Sequence, residues 1–177
     1  GVHDLLAAWA TSSSRFDAEL VIVGDGAQRG SLERMVLQNS IEGVRFVGSV
    51  DQAEMTRWMR SARLCVVPSR CPETFGLVAA EAAANGCGVI VSDAGALFET
   101  VGGDGCGWVY PAGDVAALRT ALEEALENPR EAARRAESAQ EYVACRCSED
   151  AVLADIVTSA GLSSCSTQDS VGSGSRR

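Results

Sequence analysis

Short uninterrupted apolar runs recur along the chain, separated by stretches in which apolar positions return every three or four residues. Leu20-Val21-Ile22-Val23 ends in Gly24-Asp25-Gly26 and reads as a strand buried on both faces followed by a tight turn. Leu32, Met35 and Val36 predict a helix from Ser31 to Asn39, and Val44 to Gly48 a second strand with its exit. Met55, Trp58, Met59 and Ala62 fall at i, i+3, i+4 and i+7, which makes Asp51 to Ser61 an amphipathic helix. A third run, Leu64-Cys65-Val66-Val67, stops at Pro68, and Gly76 to Asn85 is an Ala-rich helix suited to close packing. Val89 to Val91 is a fourth strand, Leu97 to Val101 a short helical turn, and the glycines at 102, 103 and 105 a loop before Gly107 to Tyr110. Asp114 caps a helix carrying Leu118, Leu122 and Leu126, which Asn128-Pro129 ends while starting another, and Ser148 caps a further one.

The alternation of strand and helix predicts an α/β fold, a Rossmann-like doubly wound parallel sheet with helices on both faces, whose ligands sit at the carboxyl ends of the strands. One domain is expected over 1–161. From Leu162 to Arg177 the chain is rich in Ser and Gly and nearly empty of apolar residues, the composition of a disordered tail.

Composition narrows the function. The chain has 177 residues, 46% hydrophobic and 22% charged, an ordinary globular balance. A net charge of −9 removes the electropositive footprint of a nucleic-acid or anionic-lipid binder. No basic-then-apolar leader and no apolar run near ~18 residues is present, so no transmembrane segment is expected and a cytoplasmic location is. The seven Cys are odd in number and scattered, which favours reduced, buried thiols over a disulfide framework. Cys145 and Cys147, with His3 the only histidine, do not make a zinc site, and no metal is expected.

The chemistry concentrates in 68–81, where Pro68-Ser69-Arg70-Cys71-Pro72-Glu73-Thr74-Phe75-Gly76-Leu77 joins a strand to a helix. Free N–H groups around Phe75, Gly76 and Leu77 at a helix N-terminus suit a phosphate. Glu73 and Glu81, eight residues apart, would stand about 12 Å apart at helical rise. That is beyond the roughly 5–9.5 Å of glycosidase carboxylate pairs, and fits clamps on hydroxyls at two ends of a diphosphate. On spacing alone, a loop carboxylate favoured by the helix dipole and a solvated helix residue remain open alternatives.

Glu73, seven intervening residues and Glu81, after Pro68-Ser69 and around Phe75-Gly76-Leu77, resemble the E-x7-E signature of the retaining GT-B glycosyltransferases called glycosyltransferase family 4. Val21 to Gly26, Val44 to Gly48, Glu81 to Gly86 and Gly107 to Asp114 are similar in order and spacing to that family's C-terminal domain. The resemblance implies the C-terminal, donor-binding half of a GT-B fold and retaining transfer of a glycosyl unit from a nucleoside diphosphate sugar to an acceptor hydroxyl, without a cofactor. It implies Glu73 as the catalytic candidate that orients the transferred sugar, and Glu81 as the ribose-binding carboxylate. Thr74, Phe75, Gly76 and Leu77 become the loop beside donor sugar and phosphate. Gly24 and Gly26 match a turn near the phosphates, and Gly48 the segment whose backbone meets the base. Arg29 is in reach of a phosphate by position, although a solvated surface Arg is the simpler reading.

The resemblance also implies parts not in this sequence. Family enzymes have an N-terminal, acceptor-binding domain, and their C-terminal domain opens with a strand bearing an Arg and a loop ending in Lys-Gly. Gly1 matches that Gly, so a fragment lacking an interior strand, inactive alone, is expected, attached to the inner face of the membrane if at all through the missing domain. A non-catalytic nucleotide-sugar-binding module is the alternative. A GT-B nucleotide-sugar epimerase would need more histidines than His3.

Overall fold

The computed structural model describes residues 1–13, 18–103 and 105–147. The described chain opens with helix α1 (Val2–Thr11), which leads to strand β1 (Leu20–Val23), α2 (Arg29–Gln38) and β2 (Val44–Gly48). Next come α3 (Gln52–Ser61), β3 (Leu64–Val67), α4 (Leu77–Ala84) and β4 (Gly88–Ser92). A short α5 (Leu97–Thr100), β5 (Trp108–Tyr110), α6 (Val115–Glu127) and α7 (Pro129–Arg146) follow. Residues 1–144 form one compact unit; of a second, 145–177, only Cys145 to Cys147 are described. The expected cap at Ser148, the domain end at Gly161 and the tail from Leu162 lie outside the described residues.

Among the described residues the three ladders between named strands are all parallel, the pairing that needs crossover connections such as these helices. The expected α/β class is present, but its sheet is interrupted: β1 pairs with β2, and β3-β4-β5 form a separate ladder. All five residues of β4 are buried, so helices cover both its faces. Val89 and Val91 point into a core with Ala79, Ala80, Ala82 and Ala83 of α4, and Ile90 points the other way, into a core with Leu5 of α1 and Leu118 and Leu122 of α6. Four alanines on the buried side of α4 bring that helix close to the sheet. By contrast β1, expected to be buried on both faces, is half-exposed along its length, because among the described residues no strand pairs with its second edge.

Capping explains where two helices start. Asp51 accepts a hydrogen bond from the Glu54 amide at 2.7 Å, and Asp114 from the Ala117 amide at 2.9 Å, so α3 and α6 begin one residue after each. Helix α1 has no side-chain cap and was not signalled by a stop or start residue. It is held by burial of Leu5, Leu6, Ala8 and Trp9, and by the Trp9 indole donating to the Glu42 carbonyl at 3.0 Å.

The thiols are less uniformly buried than expected: Cys87 is buried, Cys65 and Cys106 are half-buried, and Cys71, Cys145 and Cys147 are exposed. Burial pushes the Cys65 thiol up to about 11 and the Cys87 thiol to about 12, which keeps both protonated.

Helix α7 is fastened by Arg135, whose guanidinium lies 4.6 Å from the centroid of Trp108 and donates to the Gly107 carbonyl at 2.6 Å. Glu131 accepts from Arg135 at 2.8 Å and from Arg134 at 2.7 Å, and these two partners, Arg134 first, pull its pKa from 4.5 to about 2. A depressed carboxylate pKa means the contact is complete above the ordinary value of 4.5 and is lost as pH falls through about 2. A side-chain NMR titration should therefore place Glu131 near 2, and replacing Arg134 and Arg135 by Gln should return it towards 4.5.

Candidate functional site

The carboxyl ends of β3 and β4 lie side by side, and the loops leaving them are laced together. From β3 the chain runs through Pro68 to Glu73; from β4 it runs through Asp93 to Gly95. The Glu73 amide donates to the Ala94 carbonyl at 3.2 Å, and the Ala96 amide donates to the Glu73 carbonyl at 2.9 Å, making a parallel bridge between Glu73 and Gly95. A side chain at Gly95 has no room there: its Cβ would lie 2.3 Å from the Glu73 carbonyl oxygen and 2.5 Å from its nitrogen, at a φ of +72°. Ser92, buried at the end of β4, donates its hydroxyl to the Ser69 carbonyl at 2.6 Å. Ser69 in turn donates to the Glu73 carboxylate at 2.5 Å, which leaves that half-buried carboxylate with one oxygen held and one unbonded.

After Glu73 the chain turns into α4 through Gly76, whose φ of +79° is a left-handed conformation that glycine adopts freely. The predicted helix start at Gly76 is thus its cap, and the helix proper begins at Leu77. The Thr100 hydroxyl donates to the Phe75 carbonyl, tying the turn to the end of α5. The amides of Phe75, Gly76, Leu77 and Val78 have no hydrogen-bond acceptor among the described residues, and they sit at the positive end of α4. Thr74, Phe75, Leu77 and Val78 are exposed. Such a turn can take an anion with its backbone alone.

Glu81 stands half-exposed on the second turn of α4, and its carboxylate has no partner among the described residues. Glu73 is outside the helix, pinned to Gly95, so helical rise accounts for only the four steps from Leu77 to Glu81, about 6 Å. The expected 12 Å along a single helix therefore does not describe this pair.

Gly24 and Gly48 meet at the ends of β1 and β2, where the Gly24 amide donates to the Gly48 carbonyl at 2.8 Å. Gly24 is exposed and Gly48 buried. Gly26, exposed in the same turn, donates its amide to Asp25 at 2.7 Å. Arg29 is not simply solvated: it pairs with Glu33 at 2.8 Å and Asp25 at 3.6 Å, and one of its guanidinium nitrogens would be 2.9 Å from a Cβ placed on Gly48. The structure thus brings together Gly24, Gly26, Gly48 and Arg29 in one group, and Glu73 to Glu81 in another.

Sequence reasoning missed several partners of these residues. Gly95, Ser92 and Thr100 hold the Glu73 to Gly76 loop, and Arg70 grips the buried Asp4 of α1 through two contacts of 2.6 Å. Tyr110 lies beside them, its pKa pushed up to about 12 by burial and then by Asp4. The signal was available for Ser92 and Gly95, since Ser92-Asp93-Ala94-Gly95 leaves the carboxyl end of a buried strand, where ligands gather in this class of fold. Among the described residues no group of three or more His, Cys, Asp or Glu side chains converges as metal ligands would, and no helix is long and apolar enough to cross a membrane.

Comparison with known proteins shows the family. The sequence profile described as "Glycosyl transferases group 1" matches residues 1–142. Glycogen synthase of Mycobacterium tuberculosis is 36% identical over 143 residues, covering 80% of this chain and 34% of that protein. A phosphatidyl-myo-inositol mannosyltransferase of Mycobacterium leprae is 40% identical over 114 residues, covering 63% of this chain and 29% of that one. The chain thus spans about a third of the length of the curated relatives it matches. Among solved structures, HepE of Anabaena in complex with UDP superposes with a TM-score of 0.80 at 24% identity, over 91% of this chain and 45% of that one. Sucrose-phosphate synthase of Thermosynechococcus elongatus gives 0.75 at 30% identity, over 91% and 41%. The C-terminal domain of LpcC, a group 1 glycosyltransferase of Francisella tularensis, gives 0.75 at 24% identity, over 84% and 80%.

Proposed function

The chain belongs to the group 1 glycosyltransferases, and from that premise we propose that it supplies the donor-binding half of an enzyme that moves a glycosyl unit from a nucleoside diphosphate sugar to an acceptor hydroxyl with retention. One observation carries the reading. Glu73 is locked by Ser69 and Gly95 directly before four acceptor-free amides at the positive end of α4, and Glu81 waits without a partner one turn in. This matches a ligand with hydroxyls on either side of a diphosphate, and a relative of the same fold is described with UDP.

In this reading the Phe75, Gly76 and Leu77 amides, with Thr74 beside them, receive the diphosphate and stabilise its charge as the glycosyl bond breaks. Glu73 accepts hydrogen bonds from the sugar and orients it. Glu81 accepts from the ribose. Gly24 and Gly26 give the phosphates room, and the backbone at Gly48 faces the base. Backbone amides, rather than a metal, offset the diphosphate charge, and no cofactor takes part. The E-x7-E spacing is then a consequence of placing one carboxylate before the helix cap and one a turn after it. The acceptor is held by a second domain, joined to this one in the full enzyme and working in the cytoplasm.

Ligand-observed NMR with UDP-, GDP- and ADP-sugars tests this. The chain should bind one of them, and Glu81→Ala should weaken binding about ten- to a hundred-fold, the effect of losing a hydrogen bond to a charged group, ~1.5–3 kcal/mol. Equal binding by the variant would remove Glu81 from the donor site, and no binding by a chain with native circular dichroism would sink the reading.

A further inference from the structure

We infer that Arg29 is a positioning residue for the base end of the donor site: clamped by Glu33, its guanidinium props the backbone at Gly48, without touching the donor itself. This role rests on the donor-site reading above, in which that backbone faces the base, and it adds two side chains outside the 68–81 segment.

Arg29 stands against a local rule. It is the first residue of α2, a helix whose start has no side-chain cap and no acidic residue in its first turn. The positive end of a helix disfavours a cation, and departures of this kind gather at functional sites. The half-buried side chain has three neighbours. Its Nε donates to Glu33 Oε1 at 2.8 Å, four residues along the helix. Its Nη1 lies 3.6 Å from Asp25 Oδ2. The same Nη1 is 2.9 Å from the place a Cβ on Gly48 would take.

The backbone that Arg29 meets has little else to hold it. Pairing of β1 with β2 is regular only as far as Ile22 and Phe46, and the register slips before Val23 and Gly48. Beyond the slip, the Gly24 amide donates to the Gly48 carbonyl. Gly24, at a φ of +123°, and Gly26 have nothing within 4 Å of an added Cβ, so that side of the turn is unpacked. Gly48, at a φ of +88°, has Arg29 alone there among the described residues. Glycines in such conformations move freely unless something stops them, and a binding backbone that must be ordered on contact loses affinity. A planar guanidinium can grip Glu33 with one edge and lie on Gly48 with another, whereas an ammonium offers a single point.

The test uses the full chain with Arg29→Gln, Arg29→Lys, Glu33→Gln and the Arg29→Gln/Glu33→Gln double variant. Amide exchange at Gly24 is measured without ligand. Dissociation constants are measured by ligand-observed NMR for UDP, GDP and ADP, for the matching monophosphates and for inorganic pyrophosphate. Arg29→Gln and Arg29→Lys should speed exchange at Gly24 by about ten-fold. Both should weaken the preferred nucleoside mono- and diphosphate by about ten-fold and leave pyrophosphate unchanged. Glu33→Gln should weaken the same nucleotides, and the double variant should be no worse than Arg29→Gln, because the pair acts as one unit.

Unchanged exchange at Gly24 in Arg29→Gln would overturn the assignment, and that result needs no ligand. Full affinity in Arg29→Lys, or pyrophosphate weakening together with the nucleotides, would make Arg29 a phosphate ligand and overturn its positioning role. Faster exchange in β4 to the same extent as at Gly24 would reduce Arg29 to general stability. A wild-type chain that binds no nucleotide sinks the donor-site reading and this role with it. Binding that Glu81→Ala weakens and Arg29→Gln does not would remove the role of Arg29 alone.

Discussion

Gly95→Ala will destabilise the protein by about 2–5 kcal/mol, combining the left-handed cost of an L-residue, ~1–2, with overpacking, ~1–3. The steric part is severe because the Cβ would meet the Glu73 backbone at 2.3 and 2.5 Å, and no rotamer change can move a backbone atom aside. The loop must shift, and with it the bridge that fixes Glu73 next to the helix start. Gly113→Ala supplies the control: Gly113 has a φ of +84° and nothing within 4 Å of an added Cβ, so it shows the backbone cost alone. Urea unfolding of both variants separates the two contributions. If Gly95→Ala loses no more than Gly113→Ala, the Glu73–Gly95 contact does not constrain the loop.

Leu97→Ala should cost about 2–5 kcal/mol, the range for emptying a fully buried leucine site. Leu97 is wholly buried against the core that holds α4 to the sheet, and its Cδ2 occupies the space a side chain at Gly76 would need, 2.4 Å from the Cβ position. The two sites are therefore coupled. Gly76→Ala alone suffers both its φ of +79° and the contact with Leu97, whereas in the Leu97→Ala background only the φ cost remains. Chemical unfolding of the double-mutant cycle should show the pair costing less than the sum by about 0.5–3 kcal/mol. Strict additivity would mean that Leu97 does not press on the turn before α4.

The strands and most helices were legible because their signals are local. Val44 to Gly48 and Leu64 to Val67 appear where the apolar runs place them, Asp114 caps the helix its position announced, and Asp51, expected as the first residue of its helix, is that helix's cap. Helix α1 escaped because Gly1 gives no cap and its apolar residues spread around the helix, although Leu5, Ala8 and Trp9 do keep an i, i+3, i+4 spacing. For the site, the two glutamates and the glycines stand out through their resemblance to a known spacing. What fastens them does not, since Gly95, Thr100 and Ser92 reach Glu73, Phe75 and Ser69 across 22 to 25 positions of sequence, and such contacts exist only after β3 and β4 have paired. The half-exposure of β1 was likewise invisible, because an apolar run reports what a strand can bury and not whether a neighbour is present to cover it.

The alanine face of α4 restricts how this region can evolve. At Ala79, Ala80, Ala82 and Ala83 each side chain is a single methyl against the sheet, with 7% exposure or less. Trimming such a contact to glycine removes little apolar contact but costs about 1 kcal/mol in helix propensity, and any enlargement wedges the helix off β3 and β4. Drift at these four positions is thus blocked in both directions, and the neighbouring surface residues must absorb the variation. Glu81 stands on a helix whose inner face is close to immutable, which gives its carboxylate a fixed reference while the outer face is free to diverge.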